Sequence, residues 1–543
     1  KLRKSVFDEV GRGGGALPTR EPLYARNGIA ATPHPLVTES ALEMLRAGGN
    51  AVDAAIAAAA VMMCVVPLAS HIGGDAFCLV RCPDGTLYAL NGSGAAPVAA
   101  TLQHFQERGG LPEDGIALST VPGVVGAWAT LNRRFGKKSL RETLRRAIEY
   151  ARSGVPVSAR LHVYLSNARA LFSKFPASAA IFLPNAEVPE IGDLFVQSHL
   201  ADTFERIAED PTQFYTGALA REIVAFSEAN DGLFSLDDFA AHANDVVAPL
   251  SVRYRGHVIY SEPPVSRGII TLLTLAILER VELGRHEPLS AQRFHLLIEA
   301  YKLATEDLCR LGDPRFVDAS IDGFLSDSRV DELAARIDPN NARPVAGAVS
   351  APMSTESGVF GDADGNVVAY IQSIYMGCGV VAGETGVLMN ARMNGFSLDA
   401  GSPNVLAPRK RPMHTLNNYI VHDRDDELVL AGGSPGGELQ VQINVQMLSN
   451  VLDYGMSVTE AVDHPRFALG GYFPGEAPVL RIESRVPPGV IERLREMGHR
   501  ADVMGSWEPL SGVAVQIIAR DPRSGVYQAA SESRRADASV GGL

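Results

Sequence analysis

The stretch TESGVFGDADGNVVAYIQSI, residues 355–374, decides the fold. Ser357–Gly361 and Val367–Ile374 are β-rich runs, and Asp362-Ala363-Asp364-Gly365-Asn366 between them is a hairpin turn by composition. A second such unit follows: Asn418–His422, the charged turn Asp423–Glu427, and Leu428–Ala431. The glycine-rich segment Gly432-Gly433-Ser434-Pro435-Gly436-Gly437 comes next, then a periodic helix from Leu439 to Leu452. Upstream, a strand is expected from Gly28, then a helix over Leu36–Arg46 stopped by Gly48-Gly49-Asn50. A second helix runs from Ala51 to about Val65, where Pro67 ends it. Strands are expected at Ala76–Arg81 and Thr86–Leu90, around the turn Pro83-Asp84-Gly85. From about 120 to 345 helical periodicity dominates, as in Leu140–Ser153, Thr203–Ala208, Ala218–Asn230 and Ala291–Leu311. Short strands fit Val252–Tyr254 and His257–Tyr260, and this span reads as a structural layer with few chemical groups. Residues 1–27 read as a loose arm. Helices alternating with strands in both halves imply helical layers on sheets, an α/β or α+β sandwich.

Composition narrows the function classes. With 46% apolar and 20% charged residues, the 543-residue chain is globular rather than disordered. A net charge of −13 argues against a nucleic-acid partner, while leaving room for a locally positive pocket and an anionic substrate. The five cysteines are scattered and odd in number, and are expected as buried thiols of a reducing compartment. No His or Cys cluster has metal-ligand spacing, so neither a metal nor a cofactor is expected. Residues Lys1 to Arg20 lack the apolar core of a signal peptide. The apolar run Ala51–Leu68 contains Asp53 and suits a buried helix rather than a membrane span. A cytoplasmic location without a membrane partner is the expectation.

Three features carry chemistry. Thr355 stands just before a strand, where an ordinary threonine would also be at home. As a chain terminus it would gain its own α-amine as the base that its hydroxyl needs. The Gly432–Gly437 segment can aim bare N–H groups at one point beside a helix N-terminus, which suits an oxyanion, although a plain turn has the same composition. It has neither a Walker lysine nor Rossmann spacing. The basic run Pro408-Arg409-Lys410-Arg411-Pro412 is either a carboxylate attractor or a solvated loop. No GxSxG elbow marks a Ser-His-Asp triad. His71 reads as a packing histidine, and Trp128 and Trp507 are too sparse for a stacking platform.

In order along the chain, these segments resemble the γ-glutamyltransferase family of N-terminal-nucleophile hydrolases. The stretches that carry the resemblance are GGNAVDAAIAAAAV (48–61), HIGGDAFCLV (71–80), STVPGVVGAW (119–128) and DGNVVAYIQS (364–373). VVAGETGVLMN (380–390), SPGGELQVQINVQMLSNVLDYG (434–455) and HPRFALGG (464–471) complete the set. The resemblance implies an αββα sandwich made as one precursor and cut between Ser354 and Thr355. After the arm of 1–27 it implies a large subunit of 28–354 and a small subunit of 355–543, the partners of one unit. A homodimer of that unit is compatible with it. Thr355 then falls on the nucleophile, Gly436 and Gly437 on the oxyanion-hole glycines, and Ser373 on a threonine that supports the nucleophile.

The departures bear on substrate. Glu356-Ser357 replace the usual Thr-His after the nucleophile. Ser93, in Ser93-Gly94-Ala95-Ala96-Pro97, stands where the family has an arginine for the substrate α-carboxylate. Gly395 stands for the aspartate that holds the α-amine, and His414-Thr415 for a serine pair that lines the pocket. The chain is shorter between Ser373 and Gly379, and the lid region Pro403–Pro412 is brief. The acylation machinery is therefore expected to persist while glutamyl recognition weakens. QSIY (372–375) and RPMHTL (411–416) resemble the subgroup holding oxamate amidohydrolase and glutathione-hydrolase-like proteins. The expected reaction is hydrolysis of a small amide, specifically an acidic, oxamate-like one. Arg392 and His414 are expected to hold its carboxylate, with Thr415, Ser93 and Ser434 around it. The alternatives are a working γ-glutamyltransferase or glutathione hydrolase, and an uncleaved, non-catalytic binding relative.

Overall fold

The computed structural model describes residues 20–317, 321–345, 355–375, 377–470, 477–510 and 512–543. Ser354, the residue expected before the cut, lies outside them. The hairpin forms as the sequence implies, with strands Glu356–Asp362 and Val367–Ser373 in antiparallel register. Its turn closes on Asp362, whose carboxylate accepts from the Asn366 amide and from the Ala51 N–H, 3.0 Å away. That second bond ties the turn to the start of the Ala51–Val65 helix.

The hairpin sits inside a seven-stranded antiparallel sheet. Its order is Ser539–Gly542, Gly28–Thr32, Glu356–Asp362, Val367–Ser373, Asp75–Arg81, Leu87–Gly92, Asp245–Val247. A second seven-stranded sheet runs Leu23–Ala25, Tyr527–Ser531, Gln516–Arg520, Leu428–Gly433, Asn418–His422, His257–Ser261, Leu250–Tyr254. Both sheets contain strands from before and after residue 355. The expected loose arm is, from Leu23 to Ala25, an edge strand paired with Tyr527–Ala529. Three residues are too few to show a period-two pattern, and pairing supplies what local sequence does not.

Side-chain alternation builds the layers. Val368 and Tyr370 join a helix-side core with Ile56 and Met62, whereas Val367 and Ala369 pack between the sheets with Ala431 and Ile518. On the outer face of the second sheet, Val421 and Leu430 pack with Leu273, Leu297 and Leu448. These three apolar interfaces make a four-layer αββα sandwich. Helices Ala51–Val65 and Leu439–Leu452 are buried along their whole length. In the second, Gln442 satisfies both its amide groups on the backbone of Leu469, at 2.8 and 2.9 Å. Among the described residues no helix is long and apolar enough to cross a membrane. Cys64, Cys78 and Cys378 are buried free thiols as expected, but Cys309 is exposed.

Candidate active site

The same alternation aims Thr355 and Ser373 toward the space between the sheets, at the open end of the hairpin. Thr355 is buried, and its Oγ1 donates to Ser373 Oγ at 3.2 Å. Ser373 Oγ also accepts from the Tyr375 N–H at 2.9 Å. The close approach of neighbouring chain needs a bare backbone, because a Cβ on Gly74 would lie 2.3 Å from the Ser373 carbonyl oxygen.

From this pair the contacts run on through Tyr375 to Arg392 and Asp75. Tyr375 takes a left-handed backbone conformation (φ 64°), and its ring lies 5.2 Å from the Arg392 guanidinium carbon. Arg392 Nε donates to Asp75 Oδ2 at 2.9 Å, while Asp75 Oδ1 accepts from the Gly94 N–H at 2.8 Å. Burial pushes the Asp75 carboxyl upward, against the pull of Arg392. Arg392 Nη2 is buried and has no hydrogen-bond partner among the described residues. Asn390 fixes this loop, accepting from the N–H groups of Thr120 and Arg392, both at 3.0 Å. His414 packs on Phe77 with ring centroids 5.0 Å apart, and its carbonyl accepts from the Arg267 N–H at 3.0 Å. The Arg267 guanidinium pairs with Glu438, and Glu438 directly follows Gly437.

The glycine segment leaves strand Leu428–Gly433 and enters helix Leu439–Leu452. Gly436 has φ +127°, and a Cβ there would lie 2.8 Å from Val513 Cγ2, so only glycine fits without displacement. The carbonyls of Gly436 and Gly437 accept from Leu439 and Gln440 at 3.0 and 3.1 Å. Their own N–H groups precede the helix, at its positive end, where no intrahelical acceptor exists. Such a pair of donors is suited to an oxyanion.

The family follows from this geometry together with the sequence. A family model described as Gamma-glutamyltranspeptidase matches residues 37–542. The chain belongs to the gamma-glutamyltranspeptidase family. Within it, the glutathione hydrolase-like YwrD proenzyme of Bacillus subtilis is 35% identical, over 94% of this chain and 98% of the relative. The oxamate amidohydrolase proenzyme of Klebsiella pneumoniae is 33% identical, over 95% and 98%. The crystal structure of cephalosporin acylase from Bacillus halodurans superposes with a TM-score of 0.90 at 32% identity, covering 99% of both chains. As a gamma-glutamyltranspeptidase family member the chain is an enzyme, a hydrolase or acyltransferase.

Several expected roles change on this gamma-glutamyltranspeptidase frame. His414 is fully buried, and burial, then Arg392, Arg411 and Arg267, holds it well below the usual histidine range. It is therefore a neutral ring, and among the described residues both its nitrogens lack a hydrogen-bond partner, so it can meet a carboxylate only as an N–H donor. The Ser93 hydroxyl donates to Asn91 Oδ1 at 2.5 Å, and the Ser434 hydroxyl to the Pro435 carbonyl at 2.7 Å. Thr415 is buried, its carbonyl held by Asn417 Nδ2 at 2.8 Å. The basic run is split, with Arg409 exposed and the other two cations consumed inside the protein. Arg411 pairs with Asp245 and Lys410 donates to the Pro403 carbonyl at 2.6 Å, both nearly inaccessible. Conversely the span read as structural supplies Arg267 and Arg160. An arginine directly before an apolar helix, and Asp75 opening a buried strand, were the available signals, since a buried charge demands a partner.

Glu356, replacing the family threonine, faces the helices. Its carboxylate pairs with Arg160, which also reaches Asp537 at 3.0 Å, so one guanidinium serves two acids. Burial pushes Glu356 up to about 7 against the pull of Arg160, and Oε2 has no hydrogen-bond partner. A carboxyl raised above its ordinary 4.5 stabilises the fold fully below that pH, and the contribution is lost as pH rises to about 7. Glu356→Gln is expected to flatten this loss, about 3 kcal/mol, relative to the native chain. Parallel melts of both proteins across that range test it, and superimposable pH profiles would refute it.

Proposed function

We propose that the chain is a self-cleaving N-terminal-threonine amidohydrolase that acts on a small acidic amide. The observation that carries this reading is the buried Thr355–Ser373 hydroxyl pair, with the Arg392 guanidinium against Tyr375, whose N–H donates to the same Ser373 hydroxyl. The Thr355 hydroxyl attacks the Ser354 carbonyl carbon, the C–N bond breaks, and the acyl group moves to oxygen. That shift frees the Thr355 amine, and water then opens the ester, returning the Thr355 hydroxyl and leaving Ser354 with a carboxylate. This amine, with an ordinary pKa of about 7.7–8.0, takes the hydroxyl proton when Thr355 attacks a substrate amide. The N–H groups of Gly436 and Gly437 receive the oxyanion, the amine leaves with a proton, and water hydrolyses the acyl-enzyme. Residues 1–354 and 355–543 are then two fragments of one precursor, as the proenzyme names of the relatives suggest.

Substrate choice rests on Asp75. By bonding both the Gly94 N–H and Arg392 Nε, it holds a guanidinium beside the Ser93–Gly94 turn, where the expected arginine is missing from the sequence. A carboxylate therefore retains a partner in Arg392 Nη2. An α-ammonium does not, because Asp75 is paired with Arg392 and Glu438 with Arg267. This favours an oxamate-like amide over a γ-glutamyl one. Ammonia release from oxamate, compared with turnover of γ-glutamyl-p-nitroanilide, tests the choice. The expected preference for oxamate is at least ~10²-fold in kcat/KM, and a γ-glutamyl preference of that size would reverse the assignment.

A further inference from the structure

Helix Ala291–Glu306 places His295 and Glu299 one turn apart on the same face. The chain returns to that face about two hundred residues later. Gly498, with φ +97°, ends helix Pro488–Glu496 in a Schellman arrangement. In it the Gly498 N–H reaches the Arg495 carbonyl at 2.9 Å and the His499 N–H reaches the Leu494 carbonyl at 3.1 Å. This turn delivers His499 against His295, with ring centroids 5.1 Å apart. One ligand atom each from His295, Glu299 and His499 lies within 4.8 Å of the others, and all three residues are buried.

The tautomer of His295 is fixed by geometry. Its Nε2 lies 2.8 Å from the Asp338 carbonyl, which can only accept, so Nε2 carries the proton. Nδ1 is then left with its lone pair, directed at His499 Nε2 2.8 Å away. An imidazole whose far nitrogen donates to a backbone carbonyl is the usual outer support of a metal-binding histidine. Two imidazole nitrogens and one carboxylate oxygen are the donor set of a zinc-class divalent ion, not of calcium or magnesium.

We propose that His295, Glu299 and His499 form a binding site for one divalent transition-metal ion of the zinc class. The ion takes the place of the proton shared by the two imidazoles, and that proton passes to the other nitrogen of His499. Lys302 opposes binding, since its Nζ already lies 2.7 Å from Glu299 Oε1. It also donates to the Arg343 carbonyl at 2.7 Å, so it keeps one partner when Glu299 turns to the ion. The site joins residues before and after Thr355. It also touches the chain leading toward that residue, because Glu299 Oε2 accepts from the Arg343 N–H at 3.1 Å and the Ala342 N–H donates to the Met497 carbonyl at 2.7 Å. Its role is to clamp these segments together, far from the chemistry at Thr355.

The test uses the full chain, stripped with a chelator and titrated with zinc and, separately, with cobalt(II). One equivalent of zinc is expected to bind and raise Tm, and cobalt is expected to give the visible absorption of a tetrahedral nitrogen–oxygen site. Magnesium and calcium are expected to do neither. His499→Gln and Glu299→Gln are each expected to weaken zinc by more than the ~10–100-fold that loss of an outer support costs. Lys302→Met is expected to tighten it. Absence of a stoichiometric cobalt spectrum from the native chain overturns the proposal without any variant having to fold. Unchanged zinc affinity in His499→Gln and Glu299→Gln overturns it equally. Thr355→Ala is expected to bind zinc like the native chain, so this result stands apart from the outcome for self-cleavage.

Discussion

Thr355→Ala is expected to run as one full-length band on a denaturing gel, and the native chain is expected to give two bands, the smaller starting at Thr355. The variant's amide turnover falls by ~10⁴–10⁶-fold, the scale on which removal of a nucleophile acts. Its fold survives, because the substitution removes one side-chain hydrogen bond, the 3.2 Å contact with Ser373. A bond of that kind contributes only about 1 kcal/mol. Large loss of activity with nearly unchanged Tm is the signature of a nucleophile, while a core threonine would show the reverse. A native chain that stays whole after prolonged incubation, or two bands from Thr355→Ala, would dispose of self-cleavage at this residue.

Arg392→Ala carries the second large effect. The variant is expected still to cut itself, since among the described residues Arg392 bonds neither Thr355 nor the glycine turn. Its KM for an acidic amide rises by ~10²-fold or more, as expected when a charge-assisted pair of several kcal/mol is removed. A neutral amide of the same size shows little change. The substitution also strands Asp75 in the interior, and breaking a buried pair from one side costs about 3–5 kcal/mol. The double variant Arg392→Ala with Asp75→Asn separates the two consequences: stability recovers while KM stays high. If KM for every acidic amide is the same in Arg392→Ala as in the native chain, the substrate assignment fails.

The sequence disclosed the layers better than the site. Helices Ala51–Val65, Leu140–Ser153 and Leu439–Leu452 end where local punctuation says they should, because caps and breakers act within a few residues. The hairpin after Thr355 was equally legible from its Asp-Gly turn. The site depends instead on contacts between residues far apart in the chain. Asp75 and Arg392 meet only because Ser373 pairs with Asp75 across the sheet. Arg267 and Glu438 meet because each directly precedes a helix, and the two helices begin side by side. The basic cluster at 409–411 misled for the converse reason. Charge density in a sequence says nothing about whether Asp245 or a backbone carbonyl will consume it.

Mixing of strands from before and after residue 355 in both sheets bears on how the two proposed fragments would hold together. Glu356–Asp362 is sandwiched between Gly28–Thr32 and Val367–Ser373, and Gly28–Thr32 in turn lies against Ser539–Gly542. The two pieces are woven rather than docked, so separating them means unravelling both sheets. Diluting the processed enzyme should therefore leave its heterodimer intact at any concentration. Fragments made apart and mixed should behave like torn cloth, unable to rebuild the weave that one continuous thread had laid down.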